Sequence, residues 1–255
     1  MRRALCLLLA ALLLSGCGVS ILQLNPDSFY KADGKVPTWQ WAGYWRAQQF
    51  GEVLIVPNDK GFLAVHGYST STDDYNTEYC WVFGRMQGTF EGNAAHVTWQ
   101  ELKCGTEESQ GKAFFVMRDD PDHISAAWGW DEENEGNYIN LDRIDPIPAP
   151  TGEPDANWEG TWEVDNGSPV TWKKSGYYYL GTYTTSGSFT VYSSPGKTTW
   201  VTTEAQDVVL LAIAVGNSLH WMEYRQDGGG TRGTIVMASD GKSFTSKDGW
   251  WVGHR

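Results

Sequence analysis

Cysteine is scarce in this chain, with four among 255 residues. That number excludes a scaffold knitted by disulfides. The cysteines and five histidines show no C-x-x-C, H-x-H or H-E-x-x-H spacing, so the usual zinc and redox sites are excluded too, and no metal or cofactor is expected. Basic residues are few: 19 Lys and Arg face 31 Asp and Glu, a net charge of −12. So acidic a chain is repelled by nucleic acid and by anionic headgroups, and no nucleic-acid partner is expected. Long apolar runs are missing as well. Ala4–Leu14 has 11 residues and Val208–Val215 has eight, and neither is long enough to cross a bilayer as a helix. There is no G-x-S-x-G nucleophile motif, no phosphate loop, and no strand-turn-helix to carry a dinucleotide site.

What is present begins at the N-terminus. Arg2 and Arg3 precede the first apolar run, which stops at Leu14-Ser15-Gly16-Cys17. Residues 1–16 read as a secretory signal peptide. The stretch resembles the lipobox of bacterial lipoproteins. The resemblance implies cleavage before Cys17 and a Cys17 carrying three acyl chains, palmitate among them. Such an anchor is stable, because two or more chains hold where a single one does not. The next residue is Gly18 rather than Asp, which in that family favours the outer membrane. The expected location is the bacterial cell envelope. Losing residues 1–16 removes two arginines and no acid, leaving 17 basic against 31 acidic residues and a net charge of −14. Cys6 leaves with the signal, and Cys80 and Cys104 remain as a pair in an oxidising compartment. A disulfide between them is expected. Closing that loop of about 25 residues contributes ~3 kcal/mol in the chain-entropy model.

Residues 17–38 lack periodicity and read as a lipidated tether. Residues 145–157 hold four prolines and read as a stiff linker. Two segments remain, 39–144 and 158–255, each long enough for one small domain. They look like copies. "WAGYW" at 41–45 returns as "WEGTW" at 158–162, an offset of 117, and "VTWQE" at 97–101 returns as "LHWME" at 219–223, an offset of 122. Gly111 matches Gly233 and Trp128 matches Trp250 at that second offset. The growth in offset puts added residues between Tyr183 and Ser218. Short runs rich in Tyr, Trp, Val, Thr and Phe, broken by Gly, Asp, Asn or Ser, predict about eight antiparallel strands per copy. The expected fold is all-β: two tandem antiparallel meander barrels, or sandwiches, related by duplication. Val208–Val215 suits a buried strand.

The repeated word carries a physical reading. On a strand, Trp158, Gly160 and Trp162 share the apolar face, and Trp41, Gly43 and Trp45 do so in the first copy. The glycine leaves a gap that neighbouring rings cover and lets the sheet bend. "GYW" at 43–45 and "GTW" at 160–162, each ahead of a meander, resemble the opening of calycins, the lipocalin and avidin superfamily. The resemblance implies a late arginine near that tryptophan, and Arg143 and Arg255 are suitably placed. No ligand contact carries over from it.

Chemistry is less legible. Glu101 and Glu223 hold equivalent places two residues after a tryptophan. Acid-base hydrolysis needs two carboxyls in one site, and these stand in separate copies. Eight tryptophans fall into the matched pairs 41/158, 45/162, 99/221 and 128/250 and are expected to build the scaffold. Unmatched aromatics are freer to meet a ligand, which makes Trp172, Trp200, Trp251, Tyr177, Tyr179, Trp81 and Trp130 the binding candidates. Exposed rings of this kind stack on sugars or enclose small apolar molecules. The bland alternative is that all-β domains use aromatics for core and cross-strand pairs. The functional expectation is a lipid-anchored, non-enzymatic module binding a glycan, lipid or small apolar ligand. The alternatives are a carbohydrate- or peptidoglycan-binding protein and an envelope hydrolase with acidic residues.

Overall fold

A computed structural model of the chain describes residues 36–47, 50–58, 60–71, 79–103, 107–117, 120–131, 137–149, 155–165, 167–185, 188–194, 197–202, 206–224 and 230–255. The lipobox, with Cys17 and Gly18, lies outside them, as does Cys104. The described residues are almost entirely strand. The first eight are β1 (Gly43–Ala47), β2 (Gly51–Asn58), β3 (Gly61–Ser71), β4 (Tyr79–Glu91), β5 (Ala94–Lys103), β6 (Glu107–Met117), β7 (His123–Trp130) and β8 (Asn137–Pro146). Each pairs antiparallel with the next, and β8 pairs back onto β1, closing a barrel.

Ten more follow: β9 (Gly160–Val164), β10 (Val170–Ser175), β11 (Tyr178–Thr185), β12 (Ser188–Ser194), β13 (Lys197–Thr202), β14 (Gln206–Val215), β15 (Ser218–Tyr224), β16 (Gly230–Met237), β17 (Ser243–Ser246) and β18 (Val252–His254). Eight of these close a second barrel, while β12 and β13 form a separate two-stranded ribbon between β11 and β14. The ribbon falls between Tyr183 and Ser218, where the growing repeat offset places the added residues. The second barrel is sealed thinly: β18 meets β9 through only Gly253↔Val164 and His254↔Glu163. The first is sealed by five pairs between β1 and β8.

Each barrel has its own core. Trp41, Trp45, Trp99 and Trp128 are buried in the first, and Trp158, Trp162, Trp172 and Trp221 in the second. The repeated word is built the same way in both. The Trp45 indole N–H donates to the Trp41 carbonyl at 3.1 Å, and Trp162 donates to Trp158 at 2.9 Å. The glycine between them serves the backbone more than the gap. Gly160 has φ +116°, and nothing lies within 4 Å of where its Cβ would be. Gaps under rings occur elsewhere: Trp99, Trp172 and Trp221 each lie over the glycine directly opposite on the next strand, Gly111, Gly181 and Gly233. Those three tryptophans fill space that any side chain at the glycine would occupy.

The scaffold pairing needs one correction. Trp250 is 68% exposed. The ring that packs edge-on against Trp221, at 5.2 Å, belongs to Trp251. It reproduces the Trp99–Trp128 contact at 5.8 Å in the first barrel. Trp251 is therefore the counterpart of Trp128, and Trp250 is the exposed one of the doublet.

A third apolar cluster joins the outsides of the two barrels. Leu54, Val56 and Val65 from β2 and β3, with Ile147, pack against Leu211, Ile213 and Met222 from β14 and β15. This explains the unbroken run at 208–215. Leu210 and Ala212 face the second core while Leu211 and Ile213 face the first barrel. The Tyr44 hydroxyl donates to the Gly233 carbonyl at 2.6 Å, and the Tyr177 hydroxyl donates to the carbonyls of Met86 at 2.8 Å and Ala64 at 3.2 Å. Arg232 reaches Asp145 at 2.7 Å across the same seam.

Candidate functional site

Both matched glutamates point into their barrels, on the same face of the strand as the tryptophan two residues before. In the first barrel, β5 aims Glu101 at His66 on β3, with Nε2 and Oε1 3.6 Å apart. His66 is fully buried, and burial lowers its pKa to about 4. Burial raises the Glu101 carboxyl to about 7. Both shifts favour the uncharged form, so this contact is not a salt bridge. Tyr68 beside them is pushed up to about 12, first by burial and then by Glu101. Gly84 makes room for the imidazole, since a Cβ there would fall 1.7 Å from Nε2.

In the second barrel Glu223 accepts a hydrogen bond from the Tyr183 hydroxyl at 2.8 Å. The two glutamates border different cavities, which keeps them from acting as one acid-base pair across a shared substrate.

The cavity at Glu223 has a volume of about 1100 Å³. That is just above the range that small-molecule sites occupy, roughly 300–1,000 Å³. It sits where β15, β16 and the β17–β18 turn meet, beside the thinly sealed seam. Trp221, Trp250 and Trp251 line it, with Tyr183, Glu223 and His220. His220 is held by the Thr234 hydroxyl at 2.9 Å. Burial, and then the Lys247 charge, lower its pKa to about 4, which keeps the ring neutral. The Trp221 indole N–H is buried with no partner among the described residues, as are those of Trp158 and Trp172. Its counterpart differs: Trp99 Nε1 donates to the carbonyls of Lys112 and Gly129, each at 3.2 Å. One matched ring is thus satisfied by its own barrel, and the other, whose ring borders the large cavity, is not.

The sequence candidates scatter. Trp172 and Tyr179 are buried in the second core, so they are structural rather than available to a ligand. Tyr177 is half-buried and spends its hydroxyl on the first barrel. Trp251 does line the cavity. Trp130 is 53% exposed but belongs to another concavity. Trp200 is on β13 and Trp81 on β4, and their side chains lie outside the described residues, as does that of Cys80. Sequence reasoning missed Trp250 and Tyr183. The signal for Trp250 was the doublet itself, since adjacent strand residues face opposite sides and only one could enter the core. Among the described residues no group of three or more His, Cys, Asp or Glu is placed to hold a metal. Comparison of the chain with protein-family models, curated proteins and solved structures finds no match.

Proposed function

We propose that this chain is a lipid-anchored protein of the bacterial envelope that binds a small ligand at the mouth of its second barrel and catalyses no reaction. The anchor rests on Leu14-Ser15-Gly16-Cys17, and Gly18 favours the outer membrane. The calycin reading is supported by Arg143 over Trp45 and Arg255 over Trp162, with 4.1 and 4.4 Å from guanidinium carbon to ring centre. The observation that carries the binding reading is the cavity of about 1100 Å³ lined by Trp221, Trp250 and Trp251. These rings stand beside Lys247 in the same lining, so the ligand combines an acceptor oxygen with an apolar face. Carbohydrate is the second reading, favoured by the exposure of Trp250.

Titrating the intact chain with monosaccharides and single-chain lipids while following tryptophan emission tests this. A saturable change, weakened at least fivefold by Trp250→Ala, is expected. A flat response across both panels would overturn it.

A further inference from the structure

A second concavity spans the outer face of β4, β5 and β6, which is its floor, and the rim of the first barrel, where Trp130 ends β7. One wall is the β10–β11 hairpin of the other barrel. A cavity of about 770 Å³ and an adjoining one of about 570 Å³ share Arg85, Gln100, Gln110 and Asp131, so they form one groove. The wall is fixed to the floor by the Tyr177 hydroxyl, which donates to the Met86 carbonyl at 2.8 Å.

We infer that this groove binds an extended, neutral polysaccharide chain, with Trp130 as its stacking platform. The inference takes its ligand class from the carbohydrate reading but stands on different residues and a different cavity. Three features point to this occupant. The first is Trp130, 53% exposed at the groove and braced from behind by Trp128, with ring centres 4.8 Å apart. A ring held edge-on in this way offers its face without ordering cost. The second is the floor. Gln87, Gln100 and Gln110 are exposed carboxamides, which both donate to and accept from hydroxyl groups. Arg85 Nε donates to Gln100 Oε1 at 2.8 Å, which orients that amide. Among the described lining residues Arg85 and Lys112 are set against Glu101, Glu108 and Asp131, and burial raises the Glu101 pKa to about 7, so this lining carries no strong field of one sign. A polyanion gains nothing there, and a neutral polyol does. The third is backbone strain at the lip. Asp131 is the one non-glycine with positive φ among the described residues, at +53°, and its N–H is tied to the Gln110 carbonyl at 3.0 Å. Such strain persists where surrounding structure enforces it, and it clusters at binding sites.

A peptide partner fits less well. A peptide that binds by strand addition needs a free edge, and the closed barrel under this groove has none.

Calorimetric titration of the intact chain with cellohexaose, chitohexaose and laminarihexaose, and with the matching monosaccharides, tests the inference. At least one hexaose should bind, and tighter than its monomer. Trp130→Ala should weaken it tenfold or more, Gln110→Ala should weaken it several-fold, and Trp250→Ala should change it less than twofold. These side chains are exposed, so folding is preserved and circular dichroism can confirm it. No heat with any hexaose would overturn the inference, as would affinity unchanged in Trp130→Ala. Loss in Trp250→Ala alone would move the glycan to the barrel mouth, overturning the groove while sparing the first site.

Discussion

Arg143 lays its guanidinium over the indole of Trp45, 4.1 Å from the ring centre. It also donates to the Ala42 carbonyl at 2.7 Å, to the carbonyls of Gln40 and Pro121, and to the Asp122 carboxylate at 2.8 Å. One side chain thus ties the strand that closes the first barrel to the tryptophan that opens it. Arg255 does the same over Trp162 and donates to the Glu159 carbonyl at 2.9 Å, one residue after Trp158, as Ala42 follows Trp41.

Arg143→Ala should destabilise the chain by about 2–4 kcal/mol, since it strands several carbonyls and uncovers an indole. Arg143→Lys should recover less than half, because a lysine presents no planar fork. Arg255→Ala should cost less, because that arginine is exposed. Urea unfolding of the three variants checks the order. Equal losses for Arg143→Ala and Arg255→Ala would contradict the deeper role given to Arg143.

Gly160→Ala isolates a backbone effect. No atom lies within 4 Å of the added methyl, yet φ is +116°. The loss should be about 1–3 kcal/mol, from strain alone. Gly43→Ala should cost more, because its methyl would also sit 2.6 Å from the Asp145 carbonyl oxygen. Thermal melts that rank Gly160→Ala as the worse variant would refute this assignment of causes.

These glycines show how far the residues spoke for themselves. The duplication, the eight-strand meander and the inward pairs of tryptophans could be read from period-two alternation and turn residues. Alternation does not say which face is inside when both carry rings, which is why Trp172 and Tyr179 passed for binding residues. Nor does it say what covers the second face of an unbroken apolar strand. Leu211 and Ile213 are buried by the other barrel, a contact between segments more than 140 residues apart in sequence, and no local pattern encodes that. The fixed offset that matched Trp128 to Trp250 fails because the short β17 and β18 shift the core ring by one residue. The mouth and the groove stayed hidden because each draws its lining from several strands.

Glu101 gives a signed pH effect. Its folded pKa, about 7, lies above the ordinary value of 4.5, so the folded chain keeps a proton that the unfolded chain releases. Its contribution to stability therefore falls as pH rises from about 4.5 to about 7. Glu101→Gln has no such loss and should gain on the parent by up to ~3 kcal/mol across that window, then hold a constant lead. His66, lowered to about 4, acts in the opposite sense, reducing stability as pH falls from 6.5 towards 4. Because His66 is present in both proteins, it largely cancels in the difference. Melting temperatures of the pair from pH 4.5 to 8 check this, and a difference independent of pH would remove Glu101 from the buried interior.

We propose that Cys80 and Cys104 form a disulfide; Cys104 and the Cys80 side chain lie outside the described residues. Oxidised protein should lack free thiols at both positions by mass mapping and should melt several degrees above the reduced form, consistent with about 3 kcal/mol from closing the loop. Two alkylatable thiols in material exported to an oxidising compartment would exclude the bond.

The contact between the barrels should outlast the connection between them. Its apolar centre joins Leu54, Val56 and Val65 to Leu211, Ile213 and Met222, and partly buried hydroxyl bonds from Tyr44 and Tyr177 flank it. Burial raises the pKa of both tyrosines, so neither ionises at neutral pH to loosen the seam. A protease site introduced between Ala149 and Asp155 should therefore yield two fragments that co-elute on size exclusion. Tyr44→Phe should leave them together while lowering stability by about 1–2 kcal/mol, because the Gly233 carbonyl loses its donor. Leu211→Asp should separate them, since an unpaired carboxylate in that cluster costs several kcal/mol. Fragments that part without Leu211→Asp would mean that the two barrels are held by the chain alone. The groove between them would then lose its fixed wall, and the polysaccharide site would lose the geometry it depends on.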